Sequence, residues 1–549
     1  MNRCSWLVIA VVLGFSVPSI GQINRYVVHL ADKNGTPYSI DRPLEFLSIK
    51  SFERRQRQQI DITDQDLPIN PTYFEEIDNL SVTIDAFYAS KWFNNILIQC
   101  EAGDVSKILL LPYVSEVEYV APGERLTFDD VGRGGGVSGR KNHRRRNQRV
   151  AAAATDAQNE MIGIDVMHSN GFTGEGIDIA IMDAGFQGVT GISYFSHLYN
   201  ENKLKFTYDF VTNGSNVYQY SDHGTKVLST LSGFSPGEFI GGAYDANYLL
   251  FITEDVCNSC EHRIEEYNWV YAAEFADSAG VDIISTSLGY NLFEDPDMDY
   301  TIEDLDGETA VITIAGDIAA SKGILVVSSA GNEGNNSWGY ITAPADGNAV
   351  LAIGNVDLTG KRWRSSSHGF SADGRIKPDL AAPGAGVAVI NKSGNIVGGT
   401  GTSFSAPMVV GLAAGAWQSN PNLTAQELRF FLTRSASQAA FPDSLLGFGI
   451  PHFDSFINLL SFAEKDANFT LYPNPITDHV IIRVNNPNEV TEADLKIFDS
   501  QGHLVMETDL SFGWNNLTQV IDMRALRAGT YIFNLVAGGK VDEIRIVKI

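Results

Sequence analysis

Three short segments carry side chains that could act together on a hydroxyl nucleophile. Asp183-Ala184-Gly185 closes an apolar run. His223-Gly224-Thr225 begins a helical pattern, and Gly401-Thr402-Ser403-Phe404-Ser405-Ala406-Pro407 begins a longer one. A serine hydroxyl is a weak nucleophile until a base takes its proton. A histidine of ordinary pKa is such a base. A buried carboxylate fixes its tautomer and stabilises the imidazolium that forms. A serine at the start of a helix also has unpaired backbone N–H groups beside it, which suit a developing oxyanion. Asn332, in Ser329-Ala330-Gly331-Asn332, can add a side-chain amide donor. Asp183, His223, Ser403 and Asn332 are therefore the candidate catalytic set for attack on a carbonyl.

Such a set works only if rigid elements aim it. Ile177–Met182, Tyr248–Thr253, Val281–Ser287, Ile324–Ser329 and Val350–Val356 are near-continuous apolar runs. That pattern predicts parallel strands covered on both faces. Helical patterns alternate with them. Trp269, Ala272, Ala273 and Ala276 follow i, i+3, i+4, i+7 spacing and stop at Gly280. The expectation is an α/β fold, a doubly wound parallel sheet with right-handed crossovers, over 156–462. The catalytic motifs fall beyond the carboxyl ends of strands, where such sheets place their sites.

In these motifs the chain resembles the subtilisin family of serine endopeptidases, and the order Asp, His, Ser is that family's order. The resemblance implies an acyl-enzyme mechanism. Asp183 would orient, His223 act as general base and acid, Ser403 attack, and Asn332 complete the oxyanion hole. It also implies that Ser287, Leu288 and Gly289 pair with the substrate backbone, and that Ala330 and Gly331 help frame the primary specificity pocket. Protein or peptide substrates follow. Residue 184 is Ala where the family usually carries Ser or Thr. A catalytically silent peptide-binding surface protein on the same fold is the alternative reading.

The flanks differ in character. Residues 1–21 read as a signal peptide: Arg3, an apolar stretch from Trp6 to Phe15, then small residues before Gln22. Residues 22–128 show strand and helix patterns of a small α+β unit. Residues 129–155 are rich in Gly and Arg and nearly free of apolar side chains, which predicts an exposed, protease-sensitive linker. Residues 463–549 carry alternating apolar positions (Val480, Ile482, Val484; Tyr531, Phe533, Leu535) and predict an all-β sandwich. By resemblance, 22–128 is an inhibitory prodomain and the protein a zymogen. The C-terminal module resembles the sorting domain of type IX secretion, on Leu471-Tyr472-Pro473-Asn474-Pro475, Gly529-Thr530-Tyr531 and Ile546-Val547-Lys548-Ile549. That implies the type IX machinery as a partner. It also implies a location at the cell surface or outside a Gram-negative bacterium.

Composition narrows the partners. With 39 Lys and Arg against 66 Asp and Glu, the net charge is 39 − 66 = −27. Its field repels phosphate backbones, so nucleic acid is excluded as a partner. No cofactor is required by the proposed chemistry. Asp295, Asp297 and Asp299, with Glu303, Asp304 and Asp306, read first as a solvated acidic loop and second as a Ca²⁺ site. Cys257 and Cys260 could be a redox pair, a metal half-site or a local disulfide, and export favours the disulfide.

Overall fold

Apolar runs that do not alternate need cover on both faces, and here they receive it. The computed structural model describes residues 23–123, 153–256, 261–465, 468–472, 474–485, 490–513 and 518–549. The expected signal peptide 1–21, most of the expected linker, and Cys257 and Cys260 lie outside them. Among the described residues no helix is long and apolar enough to cross a membrane.

The N-terminal unit is a four-stranded antiparallel sheet. Its strands are β1 (Ile23–Leu30), β2 (Asp85–Ser90), β3 (Asn95–Glu101) and β4 (Val114–Pro122), in the order β2-β3-β1-β4. Strand alternation divides its side chains. Val28, Ile96 and Ile98 join a core of the unit's own, while Val27, Leu97, Val120 and Trp92 face the next unit. The helix α1 (Ile49–Gln58) is capped by Ser48, which accepts from the backbone N–H of Ser51.

The central unit holds eight strands: β5 (Asp178–Asp183), β6 (Leu204–Asp209), β7 (Asn247–Ile252), β8 (Ile283–Thr286), β9 (Leu325–Ser329), β10 (Leu351–Asp357), β11 (Leu380–Ile390) and β12 (Ile396–Thr400). Their order is β12-β11-β10-β9-β8-β5-β7-β6. All neighbours are parallel except β11 and β12, which form an antiparallel edge hairpin. Ile179, Ile181, Leu250, Ile283 and Val327 point into one core, and Ala180, Met182, Leu249, Ile284 and Val326 into the other. The helices α2 (His223–Ser232) and α5 (Thr402–Ser419) cover the first face. The helices α3 (Ile264–Ala279) and α4 (Val311–Ser321) cover the second. The α/β, doubly wound expectation holds. β5 lies where the order reverses, so its carboxyl end opens a crevice between two crossovers.

The C-terminal unit stacks a three-stranded sheet (Phe469–Tyr472, His479–Val484, Thr518–Asp522) against a four-stranded one (Leu504–Ser511, Glu492–Asp499, Gly529–Ala537, Lys540–Lys548). Val480, Ile482, Leu495, Ile497, Phe533 and Leu535 fill the space between. The predicted alternation is thus the inner face of a β-sandwich.

Candidate active site

Asp183 is the last residue of β5, fully buried, and its Oδ1 accepts the backbone N–H of Ala184 at 2.7 Å. His223 is the first residue of α2. Its Nδ1 lies 2.8 Å from Oδ1 and 3.0 Å from Oδ2 of Asp183. The approach needs a glycine behind the histidine. A Cβ on Gly224 would stand 2.6 Å from the Gly185 carbonyl oxygen and 3.0 Å from the Asp183 Cβ. Burial alone would lower the His223 pKa, but the Asp183 charge and hydrogen bond outweigh it and leave the imidazole above its ordinary value.

Ser403 stands in the first turn of α5, mostly buried. Its Oγ donates to the Ser287 carbonyl at 3.4 Å, and Ser287 Oγ donates to the Ser403 carbonyl at 2.9 Å. The hydroxyl is therefore turned to the neighbouring strand end and makes no hydrogen bond to His223 in this state. Catalytic hydrogen bonds are often long or misaligned before substrate arrives. The Phe404 ring packs 6.0 Å from the His223 ring, centre to centre, and walls the imidazole.

The other expected residues converge on the same crevice. Ser287, Leu288 and Gly289 follow β8, and Ala330 and Gly331 follow β9. Ser329 Oγ donates to the Leu288 carbonyl at 3.3 Å, holding the two segments side by side. Gly289 is exposed, and a Cβ there would meet Thr342 Oγ1 at 2.2 Å. Asn332 is exposed, and its Oδ1 accepts from Thr402 N at 3.0 Å and Thr402 Oγ1 at 3.2 Å. With Oδ1 so engaged, the amide presents Nδ2 as a donor one residue from Ser403.

The acidic loop does not gather its carboxylates. Asp295 accepts from Asp297 N, Asp299 from Phe293 N, and Asp304 from Thr301 N and Oγ1. Each serves a local turn. Among the described residues, the acidic group close enough to share a cation is instead Glu254, Glu261 and Glu265. Sequence reading passed over it, although five acidic residues within 254–266 mark the stretch.

Also unforeseen is a buried ionic joint between the N-terminal unit and α3. Asp277 accepts from Arg54 Nη2 at 2.6 Å, from Arg55 Nη2 at 2.7 Å and from Lys91 Nζ at 3.3 Å. Glu274 accepts the backbone N–H groups of Lys91 and Trp92 at 2.8 and 3.0 Å. Desolvation would raise the Asp277 pKa, but Lys91, Arg55 and Arg54 hold it below the usual carboxylate range.

Comparison with known proteins decides the family. The model of the subtilase family matches residues 174–449, just over half the chain. The chain belongs to the subtilase family. Residues 25–130 match the subtilase propeptide domain of the Bacteroidota, and residues 470–548 match a secretion-system C-terminal sorting domain. Subtilisin of Bacillus pumilus is 28% identical over 274 residues, covering 49% of this chain and 87% of that protein. Subtilisin E of Bacillus subtilis is 29% identical over 275 residues, covering 49% and 63%. Alkaline elastase YaB of a Bacillus species is 26% identical over 272 residues, covering 50% and 62%. The chain is a serine endopeptidase by family. It is a secreted or cell-surface protein of a Gram-negative group by its propeptide and sorting domains.

Proposed function

We propose that this subtilase hydrolyses peptide bonds through Asp183, His223 and Ser403, and is made as a zymogen. The observation that supports it best is the paired contact of both Asp183 oxygens with His223 Nδ1 at the reversal point of the sheet. Nδ1 so bound carries the proton, which leaves Nε2 free to act as base. In the reading offered here, an extended substrate pairs with Ser287–Gly289. Ser403 Oγ leaves the Ser287 carbonyl and attacks the scissile carbonyl carbon as His223 takes its proton. The carbonyl oxygen, now negative, meets Asn332 Nδ2 and the backbone N–H groups at the start of α5. The intermediate collapses as His223 protonates the leaving amine, and water repeats the sequence on the acyl-enzyme.

The flanks give the enzyme its timing and its address. The N-terminal unit, at residues 22–128, is an inhibitor that is cut from the catalytic unit within about 129–160. Dissociation of the cut unit releases activity. The C-terminal sandwich serves export by the type IX machinery and takes no part in catalysis.

A fluorophosphonate probe tests the centre of this reading. Covalent labelling of the mature protein at Ser403, abolished in Ser403→Ala, is the expected result. A folded mature protein that takes up no label would refute it.

A further inference from the structure

Three carboxylates meet at the edge of the cleft, and among the described residues none has an ion-pair partner. Glu254 lies two residues beyond β7, while Glu261 and Glu265 lie at the entry and first turn of α3. One oxygen from each lies within 4.8 Å of the other two. Glu265 is fully buried. Its Oε1 accepts the Asp255 N–H at 2.6 Å, and among the described residues its Oε2 has no hydrogen-bond partner. Glu254 Oε2 accepts the Tyr290 hydroxyl at 2.9 Å, which ties the cluster to the residue after Gly289. Arg263, between them in sequence, is directed elsewhere, toward Glu118 and Glu266 and over the Phe293 and Tyr300 rings.

A buried carboxylate oxygen with neither a donor nor a cation carries its desolvation cost uncompensated, and two more carboxylates add repulsion. A bound cation offsets both. We propose that Glu254, Glu261 and Glu265 bind a hard divalent cation, Ca²⁺, beside the substrate-pairing segment. The donor set is all oxygen, which excludes a soft metal. Ca²⁺ holds oxygens at 2.3–2.6 Å, so two oxygens of its shell stand up to about 5 Å apart. For Mg²⁺, at 2.0–2.1 Å, the limit is about 4 Å. Three oxygens within 4.8 Å of one another need at most a small closure onto a Ca²⁺ shell, whose loose geometry of six to eight oxygens tolerates it and leaves the remaining positions to solvent. The ion would fasten the end of β7 and the Glu261 segment to the start of α3. This site is distinct from the Asp295–Asp306 loop, where Asp295, Asp299 and Asp304 each accept from a backbone N–H in or next to the loop.

The test needs no catalysis, so its outcome is independent of the proposed function. The full chain carrying Ser403→Ala, which keeps it intact, is freed of metal with EDTA and titrated with Ca²⁺ alone. A saturable rise in melting temperature is expected, together with Tb³⁺ luminescence sensitised by Tyr290. Glu265→Gln should abolish both responses, and in EDTA it should melt no lower than its parent because it removes an unpaired buried charge. Glu261→Gln, at a half-buried position, should weaken Ca²⁺ at least tenfold, and it decides the matter if Glu265→Gln does not fold. Unchanged Ca²⁺ midpoints in the folded variants would place the ion elsewhere and overturn the assignment. So would a parent with no saturable response, or one that takes Mg²⁺ as tightly. A peptide of sequence Arg140–Arg149 that binds the parent but not Glu265→Gln, with Ca²⁺ silent, would reassign the cluster to a basic substrate side chain.

Discussion

Arg54 of the N-terminal unit donates to Asp277 of α3 at 2.6 Å, and neither side chain is more than 1% exposed. This pair is one arm of a joint that also takes in Arg55 and Lys91. A buried pair broken from one side leaves the other charge without compensation, at a cost of about 3–5 kcal/mol. Asp277→Asn leaves Arg54 and Lys91 without a carboxylate, while Arg55 keeps Asp66 at 2.8 Å, and it does so only while the N-terminal unit is docked. The isolated N-terminal unit added to mature Asp277→Asn enzyme should therefore inhibit at least about a hundredfold more weakly than it inhibits the parent. The mature variant should keep its own kcat. Equal inhibition constants would show that the apolar contacts of Val27, Trp92 and Leu97 hold the units together without the joint.

The pH profile should report the Asp183–His223 contact. General-base action needs a neutral imidazole, and the Asp183 charge holds the His223 pKa above its ordinary value despite burial. A raised pKa means the imidazole stays protonated to higher pH. Activity should thus be full above that pKa and fall as pH drops through it, with the acid limb centred above about 6.5. Asp183→Asn removes the charge and should move that limb downward. It should also cut kcat by about 10⁴, because the wrong tautomer is then stabilised. The measurement is kcat/KM against pH for both proteins. An acid limb that does not move would detach Asp183 from the titration.

Much of this arrangement was legible in the sequence, and the rest was not for identifiable reasons. Strands buried on both faces announce themselves by uninterrupted apolar runs, so β5, β7, β8, β9 and β10 lie within a residue or two of their predicted bounds. The edge strands β6 and β12 are partly solvated and carry residues such as Lys205 and Gly398, which blur the pattern. Gly280 ends α3 where predicted because the cap takes a left-handed conformation, φ +92°, that glycine adopts without strain. The joint at Asp277 was invisible. Its partners are separated by more than 180 residues, and each of Arg54, Arg55 and Lys91 looks like a surface charge on its own. The Glu254, Glu261 and Glu265 cluster escaped for a similar reason, since the fold and not sequence spacing brings the three carboxylates together.

Asn332 offers a test that separates rate from folding. Its Oδ1 is held by Thr402, so its Nδ2 is placed before substrate arrives. A donor aimed at the shifted oxyanion stabilises the transition state more than the bound substrate. Asn332→Ala should lower kcat by about 10²–10³, the size known for the matching donor in subtilisin, with KM nearly unchanged. Its melting temperature should stay within a few degrees of the parent, because the side chain is exposed. A folded variant with near-normal kcat would leave Asn332 as a turn residue only. A large rise in KM alone would indicate ground-state binding.

The sandwich should be dispensable for chemistry but not for stability or export. The Tyr472 hydroxyl donates to Glu427, which is buried and also closes the N-terminal cap of the helix Ala425–Arg434 by accepting from Thr424 N at 2.7 Å. The Tyr472 ring stacks 5.5 Å from Phe430, and Arg434 donates to the Asn474 carbonyl at 2.9 Å. The first strand of the sandwich is thus fastened to the catalytic unit. Tyr472→Phe keeps the ring and removes one hydrogen bond to a buried carboxylate, which should cost about 1.5–3 kcal/mol. That loss should appear as a lower melting temperature with kcat intact. Ending the chain after Lys465, where the helix Phe453–Lys465 closes, should remove the ring as well and lower the melting temperature further. The shortened enzyme should still cleave peptide when purified, yet remain in the periplasm of its host. Two results would each overturn part of this account. Normal export of the shortened chain would remove the sorting role, and loss of kcat in Tyr472→Phe would couple the sandwich to the active site.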